Sequence, residues 1–175
     1  MQPLAYHVTI TCYGQRLPGD DRGTVDPNHN VFGTPLAPGN PAQLAWMQHQ
    51  LTEPPFALDI PRGKVVLESI QYACRRFGWK LWMAHSRVTH FHTAVTADAT
   101  PNVLRTQLKA KATKFLKNAG FDLERRKRWV KGGSVRPIFD QAHLQRVIEY
   151  GARKQGEPMV VFVAGEGTWV SDGGE

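Results

Sequence analysis

The apolar residues of this 175-residue chain change period in a fixed order, and that order narrows the available folds more than any other feature. Residues 5–12 (Ala-Tyr-His-Val-Thr-Ile-Thr-Cys) alternate and are rich in β-branched side chains, the pattern of a strand. Val66, Ile70, Ala73 and Phe77 then recur at helical spacing, with Leu67 and Cys74 beside them and Gly78 as a stop. Residues 79–86 and 90–97 read as two strands of a hairpin turning near 87–89. Thr100 caps a helix with Pro101 at its first position, and Leu104, Leu108, Ala112 and Phe115 form its buried stripe. Residues 135–139 suit a short strand, Asp140 caps a helix reaching about Gln155, and 159–164 suit a last strand. The core order β-α-β-β-α-β predicts an α+β fold: a ferredoxin-like antiparallel sheet with helices on one face, plus a late helix.

One segment interrupts this pattern. Residues 13–60 contain seven prolines and five glycines without sustained periodicity, although 41–51 can form a short helix. A stretch of this length reads as a long loop insertion within a single domain spanning 1–164. Residues 165–175 read as a flexible acidic tail.

Composition removes several classes. With 41% hydrophobic residues and 5 Trp, 4 Tyr and 8 Phe, the chain is neither collagenous, nor a coiled coil, nor wholly disordered. No apolar run reaches the ~18 residues of a membrane helix, so no membrane partner is expected. The opening Met-Gln-Pro-Leu-Ala-Tyr-His lacks a basic stretch followed by an apolar one, so no secretory signal is expected. Two cysteines, Cys12 and Cys74, fit reduced thiols in a cytoplasm.

The formal charge of +7 is distributed unevenly. Residues 1–100 carry a net of +1, residues 101–155 carry 14 basic and 4 acidic side chains, and residues 156–175 carry four acidic side chains and no basic one. So concentrated an excess points to a polyanion, with nucleic acid first. A merely solubilising helix face is the plainer alternative. Arg105, Lys109, Lys114 and Lys117 lie off the apolar stripe of their helix, and Arg126 and Lys131 belong to a basic linker over 121–134. Lys111 falls on the stripe, where its head is expected to snorkel outward. Trp129, among these basic residues, suits either base stacking or anchoring of the linker.

Three side chains stand out chemically. His90 and His92 flank Phe91 in a strand, so alternation puts both imidazoles on one face, where they can share a divalent metal. Two surface histidines on a polar face are the commoner outcome of that spacing. Tyr150 falls on the flank of its helix with Lys154 four residues on; a cation there favours the phenolate or holds a phosphate. A boundary tyrosine with its hydroxyl in water is the plainer reading.

Taken in order, these features resemble the HUH single-tyrosine transposases, in particular the REP-associated tyrosine transposases. The resemblance rests on the opening Tyr6-His7-Val8-Thr9, on His90-Phe91-His92, on the basic helix, and on Tyr150-Gly-Ala-Arg-Lys-Gln155-Gly-Glu-Pro-Met159. It also draws on Gly19-Asp20-Asp21-Arg22-Gly23, His29-Asn30 and Gly33-Thr34-Pro35 in the loop, and it covers about residues 6–163. It implies a bacterial-type, nucleoid-associated enzyme that nicks and joins single-stranded DNA beside hairpins, as a monomer or homodimer. It further implies Tyr150 as nucleophile and His90 and His92 holding Mg²⁺ or Mn²⁺. Three departures stand against the family pattern. Thr89 replaces an asparagine before the first histidine. Lys154 occupies the place of the usual glutamine ligand, which leaves Gln155 as the third ligand. The loop over 13–60 also looks longer than in the simplest members. On a regular helix Gln155 points about 140° away from Tyr150, so both serve one metal only if the helix ends or distorts nearby.

Two competing classes remain. A nucleic-acid-binding module without catalysis, including a former transposase kept as a regulator, has the same element order, but the RNA-recognition signature is absent. A non-haem iron oxygenase would use two histidines and a carboxylate but leaves the basic segment unexplained. Finally, the acidic residues within 157–175 are candidates to lie over the basic surface and compete with DNA.

Overall fold

In the computed structural model the described residues are 2–24, 35–155 and 159–170. His29, Asn30, Gly33, Thr34, residues 171–175 of the acidic tail and the Gly-Glu-Pro run after Gln155 lie outside them.

The strand and helix boundaries follow local chemistry. β1 spans Ala5–Thr11, β2 Lys80–Arg87, β3 His90–Thr96, β4 Ser134–Ile138, β5 Val160–Val163 and β6 Gly167–Val170. All pair antiparallel in one sheet of order β4-β1-β3-β2-β5-β6. Gly167–Val170, expected in a flexible tail, is instead an edge strand registered on β5, with Trp169 opposite Val161.

Each helix starts on a side-chain cap that satisfies an orphan N–H. α1 (Pro41–His49) is capped by Asn40, α2 (Ile60–Phe77) by Asp59, α3 (Pro101–Asn118) by Thr100 and α4 (Gln141–Arg153) by Asp140. α2 stops at Gly78, whose φ of 68° is the left-handed conformation that glycine adopts without strain.

The two faces of the sheet are covered differently. Tyr6, Val8 and Ile10 of β1, Phe91 and Val95 of β3, and Val160 of β5 point to the side packed by α2 and α3. The opposite residues, Ala5, Met83, Ala94, Val161 and Val163, meet Leu144, Ile148 and Ala152 of α4. Leu116 is the fourth fully buried residue of α3, and Phe115, expected on the stripe, packs on Tyr72 at its margin. Lys111 lies half-buried with its ammonium over the Tyr72 and Phe77 rings.

The last few residues of the supposed insertion belong to the core. Phe56 and Leu58 are buried, and their N–H groups donate to the Tyr13 and Val88 carbonyls. The prolines at 54 and 55 break helical periodicity there, so buried residues fall in a segment with no readable pattern. α1, by contrast, has no buried residue.

Candidate active site

Strand alternation builds the site. β1 and β3 set Thr9 opposite His92 and Thr11 opposite His90, while β2 and β3 set His85 opposite His92 and Arg87 opposite His90. Four histidines therefore gather on the face shared with α4. The His92 ring lies 5.7 Å from His7, 5.4 Å from His85 and 5.5 Å from His90, centroid to centroid.

Burial and neighbouring cations keep these rings neutral. Desolvation chiefly, then Arg136 and His143, lower His7 to about 4. Desolvation and then Arg87 lower His90 to about 4. His92, the most buried, is held well below the ordinary range by desolvation and then by its histidine neighbours. The neutral imidazole is also the form that binds a metal.

The four rings have different freedom. His85 is fully committed: Nδ1 lies 2.8 Å from the Gly151 carbonyl, and the Met159 N–H donates to Nε2 at 3.2 Å. It ties the end of α4 to the start of β5 and sits against His92. The sequence held a signal for it, since a hairpin turning at 87–89 puts residue 85 across from residue 92; His7 is found by the same alternation. His90 Nδ1 lies 3.1 Å from the Thr89 hydroxyl, so threonine supports the ring where the family pattern has asparagine. His92 Nδ1 faces His7 Nε2 at 3.4 Å, while His92 Nε2 is buried with no hydrogen-bond partner among the described residues.

α4 delivers the other two groups. It crosses over β2, β3 and β5, with Gly151 directly above Met83 and His92. The helix ends at Arg153, and the next residue, Lys154, has left helical geometry. That ending frees Gln155 from the helix, and its side chain acts on His90, raising its pKa against the effect of burial. His143, Val147, Tyr150 and Lys154 recur at spacings of four, three and four and share one flank. The charge of His143 acts on His7, so this flank is turned toward β1. Arg153 on the other flank pairs with Glu166 and lies over Trp169 of β6. Tyr150 is thus on the β1 side of the helix, 53% exposed, and its ring touches no histidine among the described residues.

His90, His92 and Gln155 are brought together, with Tyr150 alongside but unengaged. No three of the described His, Cys, Asp and Glu residues are disposed to hold a metal. The residues that could hold a divalent ion are His90, His92 and Gln155, and His92 Nε2 is buried without a hydrogen-bond partner among the described residues.

The basic residues fall elsewhere. Arg105, Lys109, Lys114, Lys117 and Lys131 line a groove of about 740 Å³ along the outer side of α3, beyond the opposite face of the sheet. Lys109 does not offer its donors there, contrary to the expectation of a DNA contact. Its ammonium donates to the carbonyls of Val130 (2.6 Å), Lys131 (3.1 Å) and Gly132 and pins the linker to α3. Arg126 is exposed on the linker, and Lys154 is exposed at the α4 end. Trp129 is an anchor and not a stacking platform: its ring packs edge-on against Phe56 and Phe91, and Nε1 donates to Thr113 at 2.9 Å. Arg128 is buried beneath the linker, donating to the carbonyls of Arg125 (2.8 Å) and Asp122.

No protein-family model matches the chain, and no curated protein matches it. Among solved structures, a REP-associated tyrosine transposase bound to a REP hairpin aligns with 87% of this chain at 12% identity and a TM-score of 0.47. This chain spans 66% of that one, and the alignment assigns no residue a role. No helix among the described residues is long and apolar enough to cross a membrane.

Proposed function

We propose that the protein nicks and rejoins single-stranded DNA at hairpin-associated sites, with Tyr150 as nucleophile and a divalent metal held by His90, His92 and Gln155. The observation that carries this reading is the meeting of two neutral, side-by-side imidazoles with Gln155 at the end of the helix whose β1 flank bears Tyr150.

Mn²⁺ or Mg²⁺ bound there would polarise the scissile phosphate and offset charge developing on its oxygens. The chain's own residues do the rest. Thr89 orients His90, and His85 fixes the helix end through the Gly151 carbonyl. The Tyr150 oxygen attacks phosphorus and its proton leaves to solvent. A Tyr150 O–P bond forms, the P–O3′ bond breaks, and the departing 3′-oxygen takes up a proton. The 5′-phosphotyrosine keeps the phosphodiester's reactivity, so a 3′-hydroxyl reverses the attack and joins strands.

Binding without cleavage is the second reading, favoured by the exposed Tyr150 ring and by the cationic groove on the far side of the sheet. A labelled single-stranded hairpin incubated with protein and Mn²⁺ separates the two on a denaturing gel. The nuclease reading expects a covalent adduct that disappears in Tyr150→Phe and His90→Ala. Tight binding with no adduct across varied hairpins establishes the second reading instead.

A further inference from the structure

Arg87 takes no part in the metal set, yet it stands beside it. By register it is the direct cross-strand partner of His90, two residues from His85 on the same face. Its charge acts on His85, His90 and His92 alike. Its Nη1 is nevertheless buried and without a hydrogen-bond partner among the described residues. A buried guanidinium nitrogen left unpaired is costly, and each one calls for an explanation. Arg16 supplies a second cation at the same end. Its charge also acts on His90, and it is held at a φ of 53°, a left-handed conformation that strains any residue with a Cβ. A guanidinium set beside a would-be cation site repels the cation unless an anion lies between them. A guanidinium fork suits one anion in particular, a phosphate, through paired charge-assisted hydrogen bonds.

Building on the function proposed above, we infer that Arg87, assisted by Arg16, is a clamp for one phosphodiester of a single-stranded DNA, set beside His90. The clamp holds the non-bridging oxygens beside His90, at the hairpin end of β2 and β3. It is separate from the α3 groove, which lies beyond the other face of the sheet. It also implies that strand and metal bind cooperatively, because the phosphate neutralises a repulsion present in its absence.

The experiment measures binding of a short oligothymidylate, with and without Mn²⁺, together with thermal unfolding of the strand-free protein. Arg87→Met removes a guanidinium whose buried Nη1 has no partner among the described residues, so the free protein is expected to melt roughly 2–6 °C higher. The same change weakens oligothymidylate binding about tenfold or more. Arg87→Lys, which keeps the charge and loses the fork, falls between. Arg16→Gly relieves the left-handed strain and also weakens binding. In the wild type Mn²⁺ tightens the strand, and in Arg87→Met this gain is lost. An Arg87→Met protein that melts lower and binds the strand as the wild type does overturns the clamp and makes Arg87 a structural residue. A wild type that binds no oligothymidylate overturns it too. If the wild type binds no Mn²⁺, the nuclease reading falls, and the metal-free comparison of wild type with Arg87→Met still decides the clamp.

Discussion

The two faces of the sheet bury different kinds of side chain. On the α2 and α3 side, apolar side chains from both helices and from β1, β3 and β5 close a continuous core. On the α4 side, an apolar patch under Leu144 and Ile148 gives way, toward the end of the helix, to four histidines and Arg87. That second region contains a buried imidazole nitrogen and a guanidinium nitrogen with no partner among the described residues. Burial on one face gathers apolar side chains, whereas burial on the other also holds imidazoles out of water in their neutral form.

A matched pair of glycine substitutions tests this contrast most strongly. In Gly151→Ala the new methyl collides with the Met83 thioether and approaches His92 Cε1 to 3.0 Å, lifting α4 off the histidines. In Gly63→Ala the new methyl meets Met159 Cε at 2.8 Å and Val160 at 3.1 Å on the other side. Each is expected to cost about 1–3 kcal/mol in urea unfolding. Only Gly151→Ala should also abolish strand cleavage, because only that contact positions Gln155 and Tyr150. Equal loss of cleavage in both variants erases the distinction between the faces.

The next effect is on pH. His7 and His90 are lowered from 6.5 to about 4, and His92 is held well below its ordinary value, so in that interval the unfolded chain binds more protons than the folded one. The stability contributed by their neutral forms is therefore complete above about pH 6.5 and is lost as pH falls toward 4. The slope reaches up to about 1.4 kcal/mol per pH unit for each ring. Urea midpoints between pH 7 and 4.5 check this, and a flat profile contradicts the burial of the cluster.

The smallest effect belongs to the α3 groove. Lys117→Gln should weaken nucleic acid binding uniformly across sequences and reduce the salt slope by about 1. Lys109→Gln should instead lower stability, since its ammonium holds three linker carbonyls. A Lys109→Gln protein as stable as the wild type, with only its salt slope changed, would restore Lys109 to the DNA-binding surface.

Much of this architecture was legible in the chain because local rules and tertiary packing agree there. Thr100-Pro101, Asp140 and Gly78 mark helix ends through their own caps and dihedrals, and the alternation around Phe91 states which face His90 and His92 share. The misses have a common cause: each depended on a partner outside the residue's own strand or helix. Gly167–Val170 is a strand only because β5 offers an edge, and Trp129 is an anchor only because Phe56 and Phe91 surround it. Arg128 is buried because carbonyls of its own loop fold back on it. His7, His85 and Arg87 join the site through cross-strand register, which spacing along one strand does not reveal.

A titration of the protein with Mn²⁺ followed by electron paramagnetic resonance tests the central claim most directly. The wild type should remove one equivalent of Mn²⁺ from the free-ion signal at pH 7, while His92→Ala and Gln155→Ala bind at least tenfold more weakly. A free-ion signal that falls equally in wild type and His92→Ala, or that never falls, would contradict a metal centre on the α4 face.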